Sequence, residues 1–365
     1  MASAQAGKQT RKPLSWKRIV GYAISLVIVI GIFWWAIPKF ADYRDVWAAI
    51  KTLTPIETWS LVAATIFNLV TYWWANQAAL PGLGIGKAAV LTQTTTSVAN
   101  TLPAGGAIAV GLTYSILDSW GFSGTSVALY VGVTGIWNIF AKLGLPMLAL
   151  VFLALSGHLT PTYILAAVFG VIVLGVAIGL FTMLFRSEEF AIRIGNWLGR
   201  VVSWFRRIRH KPPVTTWGDG AARFRRDTIA LVERRWFRLT WATLLSQVAL
   251  FFVLLLSLRH LGVSEQEVST AEAFAVYAFS RLLSAVPITP GGVGLIDLGY
   301  IGGLTAFSGE EKAAIVAAVL LFRALTYAIQ IPIGAFTYMI WRVKSDWRRP
   351  ADAAAQRERA SYFVT

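Results

Sequence analysis

Four charged side chains stand inside stretches that are otherwise apolar enough to be membrane helix: Lys142, Arg281, Asp297 and Arg323. A charge at that depth costs about 2.5 to 3.5 kcal/mol on insertion scales, so each should face a partner or a polar cavity. Asp297 can serve as a structural partner for Arg281 or Arg323. One acid cannot neutralise three bases, however, and the surplus positive charge suits an anionic headgroup, which a guanidinium can hold through two parallel hydrogen bonds. The candidate headgroup-binding residues are therefore Arg281, Arg323, Asp297, Lys142 and, one turn before the lysine, Asn138. Catalysis is not expected, because His158, His210 and His260 fall in loops or at helix ends and the intramembrane acid is single. With no cysteine there is no thiolate ligand or nucleophile either, and no metal or cofactor is expected.

Two helix-breaking motifs must position these charges: Leu102-Pro103-Ala104-Gly105-Gly106 and Ile288-Thr289-Pro290-Gly291-Gly292. Each interrupts a long apolar stretch, as in carriers whose broken helices line a polar cavity. Pro103, Gly105, Gly106, Pro290, Gly291 and Gly292 are thus the expected hinge residues of two re-entrant hairpins. The polar run Thr92 to Ser97, followed by Asn100, precedes the first break, and lipid would not tolerate such a face. Half-helix N-termini after each Gly-Gly would add backbone N–H donors to an anion site.

Composition sets the class. Of 365 residues, 56% are hydrophobic and 14% charged, far from the roughly one quarter charged of soluble domains. Many of the sixteen Trp lie near the ends of apolar runs, where amphipathic rings anchor at the headgroup level. The net charge of +15 is gathered in three blocks, residues 8–18, 186–238 and 342–359. These mark cytoplasmic segments under the positive-inside rule and attract anionic lipid; no folded basic domain remains for nucleic acid.

The spans read in order as follows. A first helix over 19–37 leaves the cytoplasm, an interfacial amphipathic helix covers 41–53, and 56–79 returns the chain. The first interrupted segment covers 87–117, a helix over 124–156 carries Pro146 as a kink point, and 161–185 ends at the basic loop. In that loop 188–209 reads as a basic helix on the membrane surface, 211–220 as a turn-rich linker and 223–235 as a second surface helix. Residues 239–258 cross outward, the loop holding Glu265, Glu267 and Glu272 is external, 270–307 hold the second interruption, and 311–342 form a long helix broken at Pro332. The expected organisation is a basic cytoplasmic N-terminus (1–18), a first helix plus membrane repeat (19–185), a basic cytoplasmic loop (186–238), a second repeat (239–343) and a cytoplasmic tail (344–365).

At an offset of 186 residues, Gly105 and Gly106 align with Gly291 and Gly292, Tyr114 with Tyr300, and Pro146 with Pro332. Counting crossings gives the halves opposite orientations. The first hairpin leaves from and returns to the cytoplasmic side, the second does so from outside. The expected fold is all-α and polytopic, with two inverted-topology repeats, each holding a Pro-Gly-Gly re-entrant hairpin, in the cell membrane with both termini cytoplasmic.

At this point the chain resembles a known family. Pro287-Ile288-Thr289-Pro290-Gly291-Gly292-Val293-Gly294 with the acid at 297, Arg281 before it and Arg323 after it, resembles the lysylphosphatidylglycerol synthase transmembrane family over roughly residues 45–345. The resemblance implies a lipid translocase, since that family includes the flippase half of the bifunctional synthase/flippase. The family's acid is usually Glu where this chain has Asp297, and its first motif often carries charges that 103–108 lack. With no soluble synthase domain after residue 345, aminoacylation is not expected. The cargo is expected to be an anionic or aminoacylated phospholipid or a polyprenyl-phosphate-linked lipid. The expected partners are membrane lipids with anionic headgroups, a second copy of the chain, or an enzyme of envelope biosynthesis. The alternative is a non-catalytic accessory or scaffold subunit of such an enzyme.

Overall fold

The computed structural model describes residues 42–102, 104–157, 161–207, 217–284, 289–308 and 312–344, and every regular element among them is helical. The expected first helix, Pro103, His158, His210 and the C-terminal tail lie outside the described residues. Helix α1 (Tyr43–Lys51) starts where the Asp42 carboxylate accepts from the Arg44 N–H at 2.8 Å. It stands at 99° to α2 (Pro55–Ala79). Sequence makes the corner: Thr54 and Glu57 close a reciprocal capping box and Pro55 fills the first helical position, so α2 must begin there. Helix α1 buries Val46 and leaves Trp47 exposed, as expected of an amphipathic helix at an interface.

The chain continues through α3 (Ile85–Thr101), α4 (Gly105–Ser119), α5 (Gly124–Leu155), α6 (Pro161–Arg186), α7 (Glu188–Arg207) and α8 (Trp217–His260). Then come α9 (Thr270–Leu283), a 3-10 turn (Pro290–Gly292), α10 (Leu295–Thr305), α11 (Lys312–Arg323), a π turn (Ala324–Ala328) and α12 (Gln330–Val343). Among the described residues three stretches are long and apolar enough to cross a membrane: α5, α8 and the continuous run from Lys312 to Val343, with α1 and α2 as a fourth if the bent pair is one span. Helices α3, α4, α9 and α10 have 17, 15, 14 and 11 residues, short of the roughly 20 that a crossing needs. Ile139, Leu148, Val151 and Phe152 on α5 are exposed, the surface that a lipid solvent allows.

Packing interleaves the two halves. Helix α2 lies along α8, α3 of the first half packs on α12 of the second, and α9 of the second packs on α5 of the first. The α3–α12 seam is close and polar. A Cβ on Gly334 would fall 2.3 Å from the Gln93 carbonyl oxygen, the Thr94 and Thr337 hydroxyls meet at 3.0 Å, and Ser97 donates to the Ile331 carbonyl at 3.0 Å. In lipid no hydrophobic force draws helices together, so small residues and interhelical hydrogen bonds of this kind hold the seam. Elsewhere the Asn68 amide donates to the Ser246 carbonyl between α2 and α8. Asn76 links Tyr130 of α5 to Thr92 of α3.

Three sequence expectations need correction. Residues 223–235 do not form a separate surface helix, and 217–220 are not part of a turn-rich linker: both belong to α8, a single helix of 44 residues. At 1.5 Å per residue α8 is about 66 Å long, twice the hydrocarbon thickness, so its basic first half lies beyond the apolar span. That half is held by α7 packed alongside it, by Arg225 donating to the Phe185 carbonyl at the end of α6, and by the Arg226–Glu188 pair at 3.0 Å. Pro332 also does not end its helix. The chain stays helical through it and widens one to two turns earlier into the π turn, which absorbs the missing N–H and the crowding by the proline ring. Pro146 likewise sits within continuous α5. The acidic loop after α8 is structural: Glu265 receives Arg259 and Thr270, Glu267 receives Ser264, and Glu272 completes a capping box with Ser269.

Gly105 begins α4, and a Cβ there would meet the Val98 carbonyl oxygen of α3 at 2.5 Å, a backbone neighbour that cannot rotate away; around Gly106 there is open space. Gly105→Ala should therefore destabilise the purified protein by about 1 to 3 kcal/mol. Gly106→Ala should be neutral within about 0.5 kcal/mol. Apparent unfolding temperatures of the two variants in one detergent check this, and equal values would refute the close α3–α4 approach.

Candidate functional site: a cationic cavity between the halves

The second Pro-Gly-Gly segment folds into a turn that only glycine tolerates. Gly291, Gly292 and Gly294 adopt φ of +59°, +71° and +85°, in the region that L side chains avoid. Thr289 ties the turn by donating its hydroxyl to the Val293 carbonyl at 2.8 Å. Helix α10 follows, and the Asp297 carboxylate in its first turn accepts the Gly294 N–H at 2.7 Å. The other carboxylate oxygen lies 2.6 Å from Nε of Arg323, and Asp297 is 1% exposed. Arg323 also stacks on the Tyr327 ring, 4.4 Å from its centroid, and reaches the Gly291 carbonyl at 3.5 Å. Tyr327 in turn donates to the Asn100 carbonyl at the end of α3 at 2.6 Å.

The first motif works differently. Ala104 takes the left-handed conformation at φ +55°, and Gly105 and Gly106 are already inside α4. Its glycine is needed for close approach, that of the second motif for backbone conformation. The motifs are alike in sequence and unlike in geometry. Tyr114 and Tyr300 differ in the same way, the first exposed and the second 2% exposed.

Between these turns lies a cavity of about 200 Å³. Arg281 of α9, Arg323, Tyr327, Tyr300 of α10 and Tyr72 of α2 line it, facing Gln93, Thr96 and Asn100 of α3. Those three α3 residues, at i, i+3 and i+7, form one helical face. The rest of the polar run is spent on α12, on α2 and on carbonyls of α3 itself. Arg281 lies within electrostatic reach of the hydroxyls of Tyr72, Tyr277 and Tyr300. Among the described residues no carboxylate is within ion-pair distance of it, and its buried Nε has no hydrogen-bond partner. Gln93 is 1% exposed, and neither end of its amide is satisfied among those residues.

The sequence candidates therefore separate. Arg281 and Arg323 line the cavity, with Gly291 in its wall and Asp297 behind, bound to Arg323 rather than to Arg281. Lys142 of α5 does not line it but is near enough to Arg281 for the two like charges to interact. Asn138 is exposed on α5, away from the cavity. Gly106 is exposed as well, and Pro103 lies outside the described residues. The expected donor site at the N-terminus of α10 is taken by the chain's own acid, because Asp297 already accepts the Gly294 N–H. Sequence reading missed Gln93, Tyr72, Tyr300 and Tyr327. The spacing of Gln93, Thr96 and Asn100 carried the signal for the first; the tyrosines come together only in three dimensions.

Removing one partner of a buried ion pair leaves the other uncompensated and costs about 3 to 5 kcal/mol. Asp297→Ala should accordingly destabilise the protein by that order, with Asp297→Asn milder because the amide oxygen still accepts from Gly294. The Asp297→Ala/Arg323→Met double variant should recover part of the loss, as unfolding temperatures in a double-mutant cycle will report; strictly additive losses would argue against the pair.

A comparison with curated proteins finds no match. A match does come from the family described as the lysylphosphatidylglycerol synthase TM region, over residues 22–334, a stretch that contains both glycine turns, the cavity and its charges. The chain is a member of that membrane family.

Proposed function

We propose that the chain is a lipid translocase, not an enzyme, which moves a phosphate-bearing lipid headgroup between leaflets by alternating access. The observation that carries this reading is Arg281, a cation lining a small cavity between the two halves without a carboxylate partner among the described residues. An uncompensated charge at that depth is costly, and an anion is what relieves it. The headgroup enters the cavity while the acyl chains stay in lipid, and the hairpins α3–α4 and α9–α10 rock about their glycine turns to change the open side. Short arms support re-entrant hairpins, since none of the four helices is long enough to cross. The exchange of arms, α3 onto α12 and α9 onto α5, is what an inverted repeat would produce. The sequence carries no Walker A loop, so ATP is not the direct energy source.

In vesicles holding the purified full chain and a lipid with an acyl-chain fluorophore, leaflet-resolved quenching should report translocation. Arg281→Ala should slow it at least tenfold, about 1.4 kcal/mol of lost stabilisation. Arg281→Lys should retain part of the rate, because an ammonium keeps the charge and loses the fork. An unchanged rate in Arg281→Ala would sink the headgroup assignment.

The absence of cysteine allows a direct test of orientation in the cell membrane with cytoplasmic termini. Single cysteines at Gly82 and Phe122 should label only from the cytoplasmic side, and those at Gly262 and Phe307 only from outside. Labelling of all four from one side would exclude inverted halves.

A further inference from the structure

We infer that the cavity selects a phosphate headgroup whose substituent is a neutral hydrogen-bonding group, a hydroxyl or amide, and rejects one bearing an ammonium; this rests on the translocase reading above. Two side chains carry the inference. Arg281 supplies the charge, and Gln93, 1% exposed on the opposite wall, offers a donor and an acceptor that nothing among the described residues satisfies. A buried amide left unpaired costs about 1 to 3 kcal/mol, so its retention calls for a partner that both accepts and donates, as a hydroxyl does. Thr96 and Asn100 continue the same neutral polar face along α3.

Among the described residues the wall holds no free carboxylate to read a cation, and Tyr72 and Tyr300 are turned to Arg281. Asp297, the acid beside the cavity, spends one oxygen on Arg323 at 2.6 Å and the other on the Gly294 N–H at 2.7 Å. Tyr327 already has its ring over Arg323. Lys142 adds a second positive charge within reach of Arg281. An ammonium would therefore enter a site of surplus positive charge with no free carboxylate among the described residues. Size points the same way: about 200 Å³ is below the roughly 300 to 1,000 Å³ of pockets for drug-sized ligands. It suits a phosphate with a short substituent.

The test uses the full chain in vesicles with acyl-labelled phosphatidylglycerol, its lysyl ester and phosphatidic acid, and initial rates resolved by leaflet. Phosphatidylglycerol should move at least tenfold faster than the lysyl ester. Gln93→Leu should shrink its advantage over phosphatidic acid about fivefold or more. Gln93→Glu, which keeps the shape and places a carboxylate in the wall, should shift the preference toward the lysyl ester. If the wild type moves the lysyl ester as fast as phosphatidylglycerol, selection against ammonium is wrong while the translocase reading stands. If both Gln93 variants leave the ratios unchanged, Gln93 serves only a structural water and the inference fails. If none of the three lipids moves, or if radiolabelled glycerol phosphate is taken up from solution and the lipids are not, the translocase reading itself falls.

Discussion

The buried Asp297–Arg323 pair is the contact on which the second half of the molecule depends. A glycine turn with three left-handed residues has little stability of its own, because glycine loses more conformational freedom on ordering than any other residue. Here the turn is fastened from both sides. Asp297 holds its exit through the Gly294 N–H, and Arg323 draws that acid, the Gly291 carbonyl and the Tyr327 ring onto the long final helix. Tyr327 then carries the connection across to the end of α3. One ion pair thus joins the second turn, the π turn and the end of α3.

The same pair shapes the electrostatics of the cavity. Arg323 takes one oxygen of Asp297 and the Gly294 N–H takes the other, which leaves Arg281 without an anionic partner among the described residues. A different pairing, Asp297 with Arg281, would have left Arg323 as the uncompensated cation of the wall. The surplus charge follows from one acid among three bases, and the turn geometry decides that Arg281, not Arg323, carries it.

The halves share a plan and divide the labour. Both break an apolar stretch with Pro and two glycines, and both lay one short arm on a long helical stretch of the other half. In the first half glycine permits two helices to touch; in the second it permits a backbone that no other residue adopts cheaply. Helix α3 contributes a neutral polar face and α9 the unpaired guanidinium. A site formed from two such unlike surfaces can bind an anion and its substituent at the same time.

Much of this was legible in the sequence, for physical reasons. Lipid makes any intramembrane charge, proline or polar run expensive, so Arg281, Asp297, Arg323, the two glycine motifs and the Thr92–Ser97 run stood out. What sequence could not decide was partnership. Asp297 lies 16 residues from Arg281 and 26 from Arg323, and only the path of the turn selects between them. Asn138 and Lys142 share one face of α5 a turn apart, yet Asn138 is exposed while Lys142 is half-buried within reach of Arg281, because burial along that face is set by the helices packed on it and not by local spacing. The continuity of α8 through its basic half and the π turn ahead of Pro332 likewise come from neighbours that a linear reading does not contain. Local chemistry set where the chain must break and which residues must hide from lipid. Tertiary contact decided which of them satisfy one another, and hence which charge remains for a ligand.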